Sequence, residues 1–231
     1  MVHFLSSEIS VVAGSYGIVN SQYILARCIH AEIIFRHKKF LPQNPKSFGS
    51  YNFAIRRKVF EDLGGFDTSY RHASGEDNDF SYKIIKAGHK IFFQPQAQVK
   101  HVHQTSLIKY LKEQFRHGFW RVKMYLDHPE MTQGDDYTFW KDILEVPLVF
   151  ASFLVCFLVL FCPALSSLIP VFPIPFLALF LLNFFFSFSA IRGLENILYF
   201  TGVMFLRAYF RTLGFSLGIF RFLPEKTLKK S

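Results

Sequence analysis

Three carboxylates, Glu76, Asp77 and Asp79, stand in the run Gly75-Glu76-Asp77-Asn78-Asp79, between a Gly64-Gly65-Phe66-Asp67 turn and a terminating Gly88. A carboxylate cluster where a loop meets a helix can hold a general base and a metal-facing group at one fixed point. Acidic residues at a helix start also serve simply to satisfy free N–H groups and the helix dipole. The pentapeptide alone leaves both readings open. Cysteine adds little chemistry: Cys28, Cys156 and Cys162 have no CxxC spacing, which argues against a disulfide framework and a structural zinc site.

The surrounding pattern supplies elements to position such a cluster. Glu8–Ala13 reads as a buried strand, and residues 21–40 carry apolar residues at helical spacing with a basic end. The pattern predicts a helix over 52–63, stopped by Gly64-Gly65, and a second over about 77–87, closed by Gly88. Residues 90–93 and 97–101 read as two short strands around Gln94-Pro95-Gln96, followed by a long basic amphipathic helix over about 106–126. Mixed strands and helices of this kind predict an α/β sheet domain.

Composition then divides the chain. Of 231 residues, 51% are hydrophobic and 30 are Phe, which is high for a soluble domain. Between Val146 and Ile191 there is no Asp, Glu, Lys, Arg or His. The expected division is a soluble domain over 1–140 and a membrane domain over 141–231. Within the latter, 147–162 and 174–191 are expected to form a transmembrane hairpin broken by Pro163, Pro170, Pro173 and Pro175. A third apolar segment, 197–222, carries Arg207 and Arg211 on one helix face, so it either lies in the interface or crosses with its arginines against protein. Uncharged hairpins are more often anchors than ion paths, which argues against a transporter.

The formal charge is +9, yet the basic residues are scattered and no nucleic-acid-binding signature accompanies them. Anionic lipid head groups and phosphate-bearing substrates are the partners this charge fits. Residues 1–20 lack a basic leader followed by an apolar run, so the expectation is an integral membrane protein whose soluble part is cytoplasmic.

Six motifs in order resemble the C-terminal part of membrane-bound family 2 glycosyltransferases, which have a GT-A fold. They are Gly49-Ser50-Tyr51-Asn52-Phe53-Ala54-Ile55-Arg56-Arg57, Gly64-Gly65-Phe66-Asp67, Gly75-Glu76-Asp77-Asn78-Asp79, Ala87-Gly88, Gln94-Pro95 and Val99-Lys100-His101. The resemblance covers roughly residues 5–130 and implies a partial GT-A mixed sheet followed by C-terminal transmembrane helices. It implies that Asp77 is the catalytic base, removing the proton from an acceptor hydroxyl as it attacks an anomeric carbon, with Glu76 positioning the acceptor or the base. Asn52, Arg56, Arg57, Asp79, Gln114 and Arg116 fall at implied substrate-binding positions. His101 matches a position that in some relatives reaches the metal or the diphosphate; a solvated strand-end histidine is the alternative. Gln114-Phe115-Arg116-His117-Gly118 resembles a Q-x-R-Y-G stretch at the membrane surface and departs from the pattern of processive synthases, while Arg116 and Arg121 equally fit a head-group-binding face.

The expected reaction is inverting glycosyl transfer from a nucleotide-diphosphate sugar to a hydroxyl of a lipid-linked or cell-envelope glycan, at the cytoplasmic face of a membrane. The family's divalent metal, Mn or Mg, is held by an Asp-x-Asp in an N-terminal half, and this chain has no Asp-x-Asp before Gly49. The metal ligands are therefore expected from that missing half, encoded upstream or carried by a partner. The alternative is a non-catalytic chain: a truncated remnant, or the membrane-anchoring subunit of a split glycosyltransferase.

Overall fold

The computed structural model describes residues 9–71, 74–133, 136, 140–161 and 170–228. Glu8, Cys162 and Pro163, which figured in the expectations above, lie outside them. The N-terminal part is built on a three-stranded mixed sheet of order β2-β1-β3. Strand β1 (Ile9–Ile18) supplies its centre. It pairs antiparallel with β2 (Phe53–Ile55), Val11 facing Ile55 and Ala13 facing Phe53. On its other side it runs parallel to β3 (Lys90–His101), from Ile9 beside Lys90 to Ile18 beside His101.

Two local expectations need correction. Residues 52–55 are not helical: a 3₁₀ turn over Ser50–Asn52 leads into β2, and helix α2 begins only at Arg57 and ends at Asp62. The Arg56 amide donates to the Ser10 carbonyl at 3.0 Å. Pairing with β1 satisfies backbone groups that a longer helix would have bonded within itself, so tertiary context overrides the local pattern. The two strand candidates after Gly88 are one strand with a break in register. Gly14 faces Gln94 while Ser15 faces Gln98, so Pro95, Gln96 and Ala97 bulge out of the ladder. Proline cannot donate to a ladder, and the bulge is where the sheet accommodates it.

Helix α1 (Ile24–Lys39) follows β1, and helix α3 (Glu76–Lys86) precedes β3. Helix α3 has Glu76, Asp77 and Asp79 in its first turn and Lys83 and Lys86 in its last, matching the dipole at both ends. Gly88, at φ 82°, closes it, with its own amide bonded to Ile85 O and that of His89 to Ile84 O. Its apolar face packs on the sheet, where Phe80 and Ile84 meet Val11, Ala13, Phe48, Ile91 and Phe93. Phe80 is fully buried, worth on the order of 2–3 kcal/mol.

A second core joins the sheet-bearing part to the C-terminal helices. Helix α4 (Leu107–Asp127) is capped by Ser106, and helices α5 (Trp140–Phe161), α6 (Ile174–Ala190) and α7 (Leu194–Leu228) follow. Leu25, Cys28 and Ile29 of α1 pack with Tyr110 and Leu111 of α4, Phe186 of α6, and Phe200, Val203 and Met204 of α7. Two helices, α5 and residues 194–224 of α7, are long and apolar enough to cross a membrane; α6, with 17 residues, is shorter. Leu154, Phe157, Leu160 and Phe161 of α5 are left exposed, as a lipid-facing surface requires.

Helices α4 and α7 pack parallel and unusually close. A Cβ on Gly118 would lie 2.1 Å from the Arg211 carbonyl oxygen, and one on Gly214 would lie 2.0 Å from that of Phe115. Only hydrogen fits at either position. The arginines of α7 face protein: Arg207 is 2% exposed and its Nη1 donates to both Glu32 oxygens, at 2.9 and 3.0 Å. Arg36 bonds Glu32 and Asp142, Arg207 and Arg211 also reach Asp142, and Arg211 Nε donates to Gln114 Oε1 at 2.8 Å. Lys141 and Glu145, both buried, pair beside this network.

Candidate active site

Gly75 places the carboxylates. At φ 112° its backbone is in a region that side chains rarely adopt, and the next residue starts α3. Glu76 folds back so that Oε2 accepts the Ser74 amide at 2.6 Å. Glu76 thus stiffens its own loop and faces away from a purely solvated role.

Asp77, half-buried, is fixed by backbone donors from two elements. Its Oδ1 accepts the Asn78 amide at 2.9 Å, and its Oδ2 accepts the Ser50 amide from the 3₁₀ turn at 3.3 Å. That turn is stitched to α3. The Ser47 hydroxyl donates to Asn78 Oδ1 at 2.7 Å, and the Ser81 Oγ lies 2.8 Å from the Asp77 carbonyl while accepting the Phe48 amide at 3.2 Å. Burial raises the Asp77 pKa, and the negative charge of Glu76 adds to it; the two amide bonds only partly oppose this. A carboxylate of raised proton affinity, aimed by backbone groups, is suited to accept a proton from an alcohol.

The other sequence-derived positions divide into structural clamps and exposed groups. Asp79 is 3% exposed, accepts His128 Nε2 at 2.8 Å and pairs with Lys83 at 2.9 Å. Burial works against its charge, but His128 and Lys83 outweigh burial and hold its pKa below the usual range. Asn52 donates from one amide nitrogen to Ser15 O at 2.8 Å and Ala97 O at 2.9 Å, closing the bulge of β3 onto β1. Arg56 Nε donates to Ile9 O at 3.0 Å. Arg57 stands in solvent, paired with Glu61. Gln114 is buried against Arg211, and Arg116 lies exposed on the outer face of α4. Of the proposed set, only Glu76 and Asp77 meet at one loop.

His101 joins a different cluster, centred on Tyr16. Its ring stacks on Tyr16 at 5.0 Å and meets His103 edge-on at 4.8 Å. His103 Nε2 lies 3.2 Å from His30 Nδ1, and Tyr51, next to the Asp77 tether, meets Tyr16 edge-on at 4.3 Å. His37 sits between the hydroxyls of Ser15 (3.1 Å) and Tyr51 (2.9 Å). Burial first, then neighbouring histidines, pushes His103 and His37 each down to about 4. These imidazoles are neutral at neutral pH. Among the described residues no group of three or more His, Cys, Asp or Glu side chains is placed to hold a metal ion. His101 offers one donor, so the residues present do not make a complete divalent-metal site.

The sequence pattern does not single out His37, His128 or the Ser50 amide. Tyr51 and Ser50 stood inside a quoted motif, but nothing local flagged the histidines, which lie 14 to 49 residues from the groups they bond.

Residues 41–119 match the family described as glycosyltransferase-like family 2. That segment includes β2, the Asp77 loop, β3 and the part of α4 bearing Gln114 and Arg116. Over 136 residues the chain is 28% identical to two proteins named pre-mycofactocin glycosyltransferase, from Mycobacterium tuberculosis strains CDC 1551 / Oshkosh and ATCC 25618 / H37Rv. The match takes in 56% of this chain and 28% of each relative, so it spans little more than a quarter of those proteins' length.

Proposed function

We propose, from the premise that this chain carries a glycosyltransferase-like family 2 domain over residues 41–119, that it supplies the catalytic base and acceptor side of an inverting glycosyltransferase. The observation that carries this reading is the Asp77 carboxylate, held by the Ser50 and Asn78 amides with its proton affinity raised. Asp77 takes the proton of an acceptor hydroxyl while that oxygen bonds to the anomeric carbon of a nucleotide-diphosphate sugar. The bond from that carbon to the diphosphate breaks, and the nucleoside diphosphate leaves with the electron pair. One base is enough for this single displacement with inversion.

The acceptor in this reading is a lipid-linked or envelope glycan at the cytoplasmic face of the membrane; the two long apolar helices support only the membrane location. The donor site, with the carboxylate ligands of a divalent metal, belongs to a polypeptide segment outside these 231 residues. Support comes from the lack of an Asp-x-Asp before Gly49 and from the 28% coverage of the relatives. The same two facts favour the second reading, a non-catalytic anchoring subunit or remnant.

Membranes from cells carrying the native gene, an Asp77→Asn version or a deletion separate the readings. Labelled nucleotide sugars are supplied and transfer to membrane acceptors is counted. The expected result is a loss of about 100-fold or more in Asp77→Asn, within the usual range for a general base. The native rate should fall on acidification through a pKa above the ordinary carboxylate range, since only ionised Asp77 accepts the proton. Transfer that survives Asp77→Asn sinks the base assignment. Transfer that survives Asp77→Asn but is lost on deletion favours the anchoring subunit, and transfer unchanged by deletion favours the remnant.

A further inference from the structure

The outer face of α4 and the N-terminal side of the Asp77 loop enclose a groove of about 440 Å³ that the reading above does not use. Phe115, Phe119 and Trp120 of α4 and Phe210 of α7 wall it, and Arg71, Lys112 and Arg116 stand around it. Lys112 and Arg116 are a like-charged i,i+4 pair, an arrangement that costs a helix a few tenths of a kcal/mol. All three cations are exposed, and among the described residues none has an ion pair. An aromatic wall beneath three unneutralised cations is complementary to an anion that carries hydrocarbon.

The groove is built into the site. Its Trp120 packs on Tyr70 at 5.5 Å and on Phe222 of α7 at 5.4 Å, so its floor is fixed by two elements. One turn earlier, His117 Nδ1 lies 2.9 Å from the Ser74 hydroxyl, at the loop that leads into Asp77. The same α7 wall belongs to one of the two helices apolar enough to cross a membrane, which brings lipid to the groove's mouth.

We propose that this groove seats a membrane lipid, its phosphate head held by Arg71, Lys112 and Arg116 and its chain lying along Phe115, Phe119 and Phe210. The placement makes a phosphate-bearing lipid the ligand class next to the Asp77 loop. The proposal rests on the membrane part of the function stated above and is independent of its chemistry.

Fluorescence tests it in the whole chain. Trp120 and Trp140 are the two tryptophans, so Trp140→Phe leaves Trp120 as reporter. The protein is placed in phosphatidylcholine nanodiscs with rising fractions of phosphatidylglycerol brominated on its acyl chains. Quenching of Trp120 is expected to saturate with the brominated anionic lipid and to exceed that from brominated phosphatidylcholine. The half-saturating fraction should rise about five-fold for each of Lys112→Gln and Arg116→Gln, the equivalent of about 1 kcal/mol per cation near a membrane surface. Lys58→Gln, on the exposed face of α2, should leave it unchanged. Where Trp140→Phe does not fold, native mass spectrometry of the wild type against the two glutamine variants reads the same lipid count.

Equal quenching by both lipids, or no change in the glutamine variants, overturns the proposal. Displacement by millimolar inorganic phosphate would make the groove a free-anion site and overturn it as well. Lipid selectivity that persists in a chain without transfer activity leaves the groove standing and removes only the glycosyltransferase reading.

Discussion

Replacing Glu32 by Gln should be the most damaging single change outside the Asp77 loop. Glu32 is 5% exposed, and its two oxygens take four bonds: two from Arg36, at 3.1 and 2.9 Å, and two from Arg207. The substitution keeps the shape but leaves Arg207, 2% exposed, with Asp142 as its remaining anion. Burial opposes the charge of Glu32, but Arg207 and Arg36 more than offset it, bringing its pKa to about 2 from 4.5. At about 1.4 kcal/mol per unit, that depression corresponds to roughly 3 kcal/mol of stability. Removing one partner of a buried ion pair generally costs about 3–5 kcal/mol, which agrees. For a chain of this size a loss of about 3 kcal/mol lowers the melting point by roughly 6–12 °C.

Thermal unfolding of the nanodisc-held protein, followed by near-ultraviolet circular dichroism, measures this. The pH dependence has a defined sign. The folded pKa lies below the unfolded one, so the Glu32 contribution is complete above about pH 4.5 and is lost as pH falls toward about 2. Wild type and Glu32→Gln should therefore converge on acidification. The double variant Glu32→Leu/Arg207→Leu should recover much of the loss, because removing both charges also removes the desolvation they suffer. A Glu32→Gln melting point within 2 °C of wild type at neutral pH, or a gap that stays constant down to pH 3, refutes the reasoning.

Two further outcomes follow from the geometry. Gly118→Ala should separate α4 from α7, since its methyl would lie 2.1 Å from a carbonyl oxygen; a loss of about 1–3 kcal/mol or more is expected from chemical denaturation, with Gly88→Ala as a positive-φ control that leaves α4–α7 protection from hydrogen exchange intact. Asp79→Asn should release His128 and weaken α3 by about 1–3 kcal/mol at neutral pH, the difference shrinking as acid protonates the wild-type Asp79, whose pKa is held below its usual value; denaturant titrations between pH 2 and 7 read it directly.

Elements with their own periodicity and stop signals were legible: β1, α1, α3 with its Gly88 terminator, and α4. The strand β2 was not, because residues 52–55 gain their extended form from β1, some 40 residues earlier. In the same way β3 looked like two strands because Pro95 breaks the pattern, while the continuity lies in the facing strand. At the candidate site, Asp77 and Glu76 were visible through motif order. Asp79, Asn52 and Arg56 came from the same motifs, and the bonds that tie them to His128, β1 and β3 could not be read there because their partners lie far along the chain. The spacing of Arg207 and Arg211 left two alternatives open. Their anions, Glu32 and Asp142, lie 65 to 175 residues away, so the choice between lipid interface and protein interior had no local signature.

The close pairing of α4 with α7 also has a consequence for how the protein is made. The ribosome delivers α4 about 100 residues before the end of α7, a delay of roughly 5–20 s at usual elongation rates. Through that interval Leu111, Gln114, Gly118 and Val122 have no α7 to bury them, and Leu25 and Cys28 wait for the same helix. Glycines that let two backbones touch make the later-synthesised helix of this pair the keystone, so a chain cut short before residue 211 would have its sheet residues in place and its second core open.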